Sequence, residues 1–501
     1  MLKSSQYLKE NNKYQQIYYS ILVTGILLRV IQFLYNRSLA HDEAALALGL
    51  IDFDISVFQP LPNQQSAPIL FLLIERFFII LFGKSEYALR LFPLICSLIS
   101  LPLFRIFVLR FSKDEKTMLI SFALFSFSPL LIYYSSVLKP YIVDTMVFLF
   151  LIIIGYGNSK QAQKYLWLSF LGVIFIFLSN IAVFILFVIY IWFFSIQIKE
   201  KKFHLSFFIS GITILVAFAF NYLLFVRNNP LKEFMVDYWQ FAFMPLNPFT
   251  TDFWSWLITS FSLHFKRLLA GFIVPNGFIY FLAGLSLFLF LIGIVKNVFA
   301  KKIEFVYVIL SPVILHMLIS SLELYPFRSR LILYLSPLFI ATVASGIIYF
   351  HHVTKKYFGF SIAVFLWSVI AAISLFIGFG NYPLEREEIK KSIQFVEENF
   401  NTTDKLIISD ASTVAFDYYA QINFHDLEND SLVDMADLEN DISFFTKLVD
   451  DNRKTWFILS HITRQQREKV LTQLENQALE EYSVQLNKST GSLTFCIQKN
   501  E

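Results

Sequence analysis

Cysteine and charge are the two scarcities of this chain. Its two cysteines, Cys96 in an apolar run and Cys496 in a strand-like run, sit in environments too different to pair, which excludes a disulfide or zinc-cysteine framework. Charged residues make up only 16% of the 501 positions against 56% hydrophobic ones, with 59 phenylalanines, which excludes a water-facing globule for most of the length. No glycine-rich phosphate loop is present, so a nucleotide bound from the cytoplasm is not expected. His264, His316 and the pair His351-His352 are scattered without metal-ligand spacing. No metal site, cofactor or nucleic-acid partner is expected.

What the chain has instead is long apolar runs, near 16–35, 89–109, 117–138, 141–157, 165–180, 181–196, 205–226, 277–295, 303–321, 331–350 and 357–379. Each is long enough to cross the hydrocarbon core as a helix, so the fold class is a polytopic α-helical membrane protein of about eleven spans. The opening MLKSSQYLKENNKYQQ is too long and polar for the first region of a cleaved signal, and the run after it reads as an anchor.

Basic residues set the orientation. Lys3, Lys9 and Lys13, then Arg105, Arg110, Lys113 and Lys116, then Lys160 and Lys164, then Lys199, Lys201 and Lys202, then Lys296, Lys301 and Lys302, then Lys355 and Lys356 fall on alternate loops. Those loops are expected on the cytoplasmic side, with the N-terminus. The alternation holds only if Ala67 to Gly83 does not cross. Its length, its opening Pro68 and its central Glu75-Arg76 pair suit an interfacial or re-entrant helix, with a short transmembrane helix as the other reading.

The composition changes near residue 380, giving a membrane domain over 1–380 and a small extracytoplasmic α/β domain over 381–501. Helices are expected at 385–399, 411–420, 435–449 and 463–476, and strands at 404–409, 455–460 and 482–498, the last folded at Lys488-Ser489-Thr490-Gly491. The loops expected outside carry carboxylates or cations beside aromatic residues. The first holds His41-Asp42-Glu43 and the stretch from Gln59 through Gln65 to Pro68; the second holds Lys139-Pro140-Tyr141 with Asp144 a turn later. A third, 227–276, is aromatic, and a fourth reads Glu323-Leu324-Tyr325-Pro326-Phe327-Arg328-Ser329-Arg330. This pattern suits an anionic lipid headgroup better than a plain helix bundle.

The order of these segments, an acidic pair after the first span, a Gln- and Pro-containing stretch before an apolar interfacial helix, then Gly83-Lys84-Ser85-Glu86-Tyr87-Ala88-Leu89-Arg90-Leu91-Phe92-Pro93, resembles the polyprenyl-phosphate-dependent glycosyltransferases of the GT-C superfamily. Lys139-Pro140-Tyr141 and Tyr325-Pro326-Phe327-Arg328-Ser329-Arg330-Leu331 before Pro337 fit the bacterial family 39 branch, relatives of protein O-mannosyltransferases and of the lipid A aminoarabinose transferase. The resemblance covers about residues 15–350. It implies a sugar moved with inversion from a polyprenyl phosphate to an envelope glycan, lipid or protein acceptor at the outer face of the cytoplasmic membrane.

Such a reaction needs a carboxylate for the acceptor's proton, cations for the departing phosphate and an apolar groove for the prenyl chain. The resemblance places the catalytic acid at Asp42, with Glu43 as the second catalytic candidate, a ligand of donor sugar or acceptor; the bland alternative for Asp42 is an N-cap. Arg330, Arg328 and Lys139 are the phosphate candidates, arginine matching phosphate with two donors. Where small residues are expected before the arginine, this chain has Arg328 and Ser329, so either arginine can face the site. Asp144, Tyr141, Gln65 and Tyr325 are candidates for donor-sugar or acceptor contacts, Asp144 with an ion pair to Lys139 or Arg29 as its structural alternative. Glu86 and Arg90, four apart, suit a helix-surface pair. The aromatic stretch 227–276 fits either a membrane belt or a flap over the lipid. A different class, a transporter or lipid flippase, stays open, although no internal repeat is visible; so does an inactive relative whose outer domain is a binding module.

Overall fold

The computed structural model describes residues 2–51, 66–227, 231–272, 277–358, 380, 382–422, 424, 430–434, 448–449, 453–477 and 482–499. Most of the expected span at 357–379, most of the helix at 435–449 and the candidate Gln65 lie outside them. The chain divides into two compact units: residues 1–34, 67–77 and 90–383 form the first, and 35–66, 78–89 and 384–501 the second. The second unit therefore draws in the acidic-pair segment along with the C-terminal region.

The first unit is helical. Its elements are α1 (Leu2–Leu34), α3 (Ile69–Phe82) in part, α4 (Glu86–Phe111) in most of its length, α5 (Glu115–Ser126), α6 (Pro129–Tyr134), α7 (Tyr141–Tyr156), α8 (Gln161–Leu178), α9 (Ala182–Glu200), α10 (Leu205–Asn221), α11 (Lys232–Tyr238), α12 (Thr251–Ala270), α13 (Gly277–Phe299), α14 (Ile303–Ser321) and α15 (Ser336–Phe358). Among the described residues, eight helical segments are long and apolar enough to cross a membrane, and α7 is a shorter apolar helix. The protein is a multi-pass membrane protein. α3 has 14 residues, about 21 Å at 1.5 Å per residue, which is short for a hydrocarbon core of about 30 Å.

Two expectations change on contact with the backbone. The apolar run 117–138 is not one helix: α5 ends at Ser126, and Ser128 turns extended ahead of Pro129, which opens α6 at the position where its missing N–H costs nothing. The aromatic stretch 227–276 is not one loop either, because it folds α11 and the 20-residue α12.

α15 lies at the centre of this unit, with 94% of its apolar window buried. It meets α13 at glycines: a Cβ on Gly346 would stand 2.0 Å from the Leu289 carbonyl oxygen, and one on Gly293 would stand 2.1 Å from that of Thr342. Only hydrogen at these positions lets the two backbones approach so closely. Arg29, buried in α1, is held by Ser97 Oγ at 2.9 Å and by the carbonyls of Gly25 and Ser126 at 2.9 and 2.8 Å. These oxygens, and not Asp144, are what satisfy the buried guanidinium.

The second unit is built on a five-stranded sheet in the order β2-β1-β3-β5-β4, from β1 (Lys405–Ser409), β2 (Ser431–Val433), β3 (Thr455–Ser460), β4 (Tyr482–Ser489) and β5 (Ser492–Lys499). β1 runs parallel to β2 and β3, whereas β5 is antiparallel to both β3 and β4. Every residue of β3, Thr-Trp-Phe-Ile-Leu-Ser, is buried, as a central strand covered on both faces requires. Phe457, Leu459, Leu493 and Phe495 share one core with Val470 and Leu474 of α18 (Arg464–Gln477). α2 (His41–Ile51), α16 (Ile389–Glu397) and α17 (Thr413–Ile422) complete the described helices of this unit.

Candidate active site

The acidic pair opens α2, and the helix start decides what each carboxylate does. His41 is the first helical residue, so Ala40 occupies the cap position and Asp42 the second helical one. The N-cap role considered for Asp42 therefore falls away. Glu43 sits at the third position and reaches back to accept the Ala40 N–H at 3.2 Å, the return half of a capping box. The same Oε2 meets Arg37 Nη2 at 2.8 Å, with the two side chains 0% and 1% exposed. Glu43 is thus a buried, ion-paired helix anchor, and Asp42 is the carboxylate of the pair that stays partly exposed.

The segment ahead of α2 is tied into its unit by further buried acids. Glu388 accepts the Ser38 N–H at 3.2 Å and the Ser38 hydroxyl at 3.1 Å. Glu86 accepts the Tyr419 hydroxyl at 2.8 Å and pairs with Lys390 at 2.6 Å, while Tyr419 itself accepts the Leu39 N–H at 2.8 Å. Glu86 and Arg90 are both buried, which corrects the expectation of a helix-surface pair.

Beside Asp42 stand two histidines. His41 donates from Nδ1 to the Ala411 carbonyl at 3.0 Å, and its backbone N–H goes to Glu387 Oε2 at 2.8 Å. His461, at the carboxyl end of β3 with φ +59°, pairs through Nδ1 with the same Glu387 oxygen at 3.1 Å. The two imidazole rings are 5.1 Å apart and tilted by 32°. The hydrogen bond and charge of Glu387 raise the His461 pKa above the ordinary imidazole value, and the Asp42 charge adds to this. Burial would raise Glu387, yet His461, Arg386 and the His41 N–H outweigh it and hold this carboxyl below the ordinary range.

A second cluster lies in the helical unit. Arg330 opens a 3-10 turn (Ser329–Leu335), entered through Ser329 at φ +50°, and its guanidinium lies 5.6 Å from the Tyr141 ring and 5.5 Å from the Trp239 ring. Arg328 lies 5.7 Å from the Phe241 ring. Burial lowers its pKa, and no carboxylate among the described residues pairs with it. Both arginines rest on aromatic faces, which favour the flat guanidinium. The backbone of this segment is pinned by the Phe327 N–H to the Ala242 carbonyl at 3.2 Å, an oxygen that also accepts the Trp256 indole N–H at 3.2 Å.

The remaining candidates gather around Tyr141. Asp144 is buried and accepts the Ser179 hydroxyl at 2.6 Å, and its charge reaches Tyr325 and Tyr334. Tyr325 packs 5.7 Å from Phe184 and 5.3 Å from His316, whose Nδ1 and Nε2 bond the Tyr334 hydroxyl at 2.9 Å and the Pro326 carbonyl at 3.1 Å. Lys139 is buried two residues before Tyr141. Lys139, Tyr141, Asp144, Tyr325, Arg328 and Arg330 therefore share the helical unit, while Asp42 and Glu43 belong to the sheet unit. Among the described residues, no group of three or more His, Cys, Asp or Glu side chains could hold a metal ion.

Sequence reasoning passed over Arg37, Glu387 and His461. His461 did carry a signal, since it follows a strand-like run, and the carboxyl end of a strand in a sheet with parallel pairs is a common place for functional groups. Arg37 and Glu387 carried none.

No family model matches the sequence, and no curated protein matches it. Among solved structures, the chain is similar to ArnT from Cupriavidus metallidurans in the apo state, with TM-score 0.48 and 11% identity over 97% of this chain and 98% of that one. It is similar to the same protein bound to undecaprenyl phosphate, with TM-score 0.48 and 12% identity over the same shares of the two chains, 97% and 98%. It is also similar to the archaeal oligosaccharyltransferase AglB from Archaeoglobus fulgidus in complex with an inhibitory peptide and a dolichol-phosphate, with TM-score 0.45 and 11% identity over 95% of this chain and 74% of that one.

Proposed function

We propose that this protein is an integral membrane glycosyltransferase that moves a sugar from a polyprenyl-phosphate donor to an envelope glycan, lipid or protein acceptor at the outer face of the cytoplasmic membrane, with inversion. The observation that carries the reading is the arginine pair on the segment 327–335. Arg328 is a half-buried cation with no carboxylate paired to it among the described residues, and Arg330 lies over two aromatic rings at the end of an apolar helix. A cation such as Arg328 beside an apolar helix suits an anion delivered with a hydrophobic tail, and a polyprenyl phosphate is that combination.

In this reading Asp42 takes the proton of the acceptor hydroxyl as its oxygen attacks the anomeric carbon. The bond from that carbon to the phosphate oxygen breaks, and the arginines stabilise the charge that builds on the lipid phosphate. Lys139 adds a point charge to the phosphate set. Tyr141, Tyr325 and Asp144 are the groups proposed to contact sugar or acceptor. Glu43, buried against Arg37, is assigned to holding α2 in place.

The test is transfer of radiolabelled sugar from a panel of polyprenyl-phosphate sugars in membranes carrying wild type or Asp42→Asn. Wild-type transfer that falls 10²-fold or more in the variant, at equal expression and equal thermal stability, supports the reading. Equal transfer by both removes Asp42 from the chemistry, and no transfer from any donor brings the transporter reading forward.

A further inference from the structure

The sheet unit holds an imidazole, His461, whose ring lies 5.1 Å from that of His41, the chain neighbour of the proposed base Asp42. His461 and Glu387 meet through Nδ1 and a carboxylate oxygen at 3.1 Å. Because a carboxylate only accepts, that nitrogen carries the hydrogen, and the lone pair of neutral His461 is on Nε2. Among the described residues, Nε2 of His461 has no hydrogen-bond partner, and its side chain is 44% exposed. Glu387, by contrast, is 6% exposed and is fixed from a second side by the His41 N–H. The imidazole is thus oriented from behind by a buried acid and is open in front. The charged groups acting on it are Glu387 and Arg386 from the segment ahead of α16 and Asp42 from α2, with the tilted His41 ring 5.1 Å away.

Resting on the glycosyl-transfer reading, we infer that His461, oriented by Glu387, is the positioning residue that receives the acceptor proton from Asp42 and passes it to solvent. The acceptor O–H bond breaks as its oxygen bonds the anomeric carbon. The electron pair of the cleaved carbon–oxygen bond stays on the lipid phosphate, and the proton moves from oxygen to the Asp42 carboxylate and on to Nε2. An aspartate alone is a weak sink for a proton near neutrality, since its ordinary pKa is about 4. An imidazole whose affinity is raised by a buried carboxylate is a much better one, and its exposed edge returns the proton to water. The chemistry selects for a neutral His461, so turnover rises with pH through the titration of this group.

The experiment uses the full chain in detergent or nanodiscs. The pH profile of kcat/KM is measured for wild type, Glu387→Gln and His461→Asn, and the His461 ring is titrated by nitrogen-15 NMR in wild type and Asp42→Asn. Asn is chosen because it tolerates the left-handed backbone at position 461. The expected result is an acid limb that shifts down by about one pH unit in Glu387→Gln. In His461→Asn that limb disappears, with kcat lowered about 10²-fold at unchanged donor KM. The His461 midpoint falls in Asp42→Asn. A limb that stays in place in Glu387→Gln, a wild-type kcat in His461→Asn, or a midpoint unmoved by Asp42→Asn overturns the inference while wild-type transfer leaves the function intact. Wild type that transfers from no polyprenyl-phosphate donor overturns the function, and this inference with it.

Discussion

Arg37 and Glu43 face each other across 2.8 Å, both closed to solvent, and the same Glu43 oxygen also accepts the N–H that starts its own helix. Removing one partner of a buried ion pair costs about 3–5 kcal/mol. Arg37→Met and Glu43→Leu are each expected to lower the thermal midpoint of the purified protein strongly. The double variant should be less damaged than the sum of the two, which a double-mutant cycle reads directly.

Glu43→Gln separates anchoring from chemistry. Glutamine can still accept the Ala40 N–H, so the helix start survives while the ion pair is lost. The expected outcome is lower stability with transfer per folded molecule close to wild type. A loss of turnover equal to that of Asp42→Asn would return Glu43 to the reacting centre.

The arginines predict opposite signs for stability and binding. Arg328 is partly desolvated without a paired carboxylate among the described residues, so Arg328→Gln should leave the thermal midpoint unchanged or raised while weakening the donor. Arg330→Lys keeps the charge but loses the flat face that rests on Tyr141 and Trp239. Donor KM in that variant should rise about tenfold, in line with one charge-assisted contact.

The Glu387–His461 pair makes stability depend on pH in both directions. The raised His461 contributes fully below its ordinary value of 6.5, and that contribution is lost as pH climbs through the folded pKa. The lowered Glu387 contributes above its ordinary value of 4.5, and that contribution is lost as pH falls through the folded pKa. Both are present together between those ordinary values. Thermal melts across pH 4 to 8 should therefore show a mildly acidic optimum that flattens in Glu387→Gln.

Gly346→Val would place side-chain carbon 2.0 Å from a backbone oxygen that has no room to retreat. The α13–α15 contact must then open. We expect poor folded yield, checked by size-exclusion profiles in detergent, with Gly284→Val as the control because nothing lies within 4 Å of its Cβ position.

What the sequence made legible follows from how far each signal reaches. Apolar runs announce themselves locally, so most helices were visible, and the strands expected at 404–409, 455–460 and 482–498 were visible as short strand-like runs, the last through its Lys488-Ser489-Thr490-Gly491 turn. The break at Ser128-Pro129 was hidden because apolar content continues across it. The roles of the acidic pair were hidden for another reason. Whether Glu43 is a ligand or an anchor depends on Arg37 turning back onto it, and the surroundings of Asp42 depend on residues some 350 to 420 positions later in the chain. Charge pairing at that range leaves no periodicity to read. Arg328 and Arg330 stood out as cations near aromatics, but the aromatic partners, Phe241, Trp239 and Tyr141, come from other segments.

The β4–β5 turn closes over the stretch that carries the buried acids. Glu388 donates its N–H to the Thr490 carbonyl at 2.8 Å, Thr490 donates its hydroxyl to Glu385 at 2.7 Å, and a Cβ on Gly491 would stand 2.3 Å from the Arg386 carbonyl oxygen. Glu387 is therefore clasped by residues made about a hundred positions after it. β4 and β5 therefore do more than close the sheet: their turn supplies the backbone acceptor that holds Glu388, the chain neighbour of the carboxylate that faces His461.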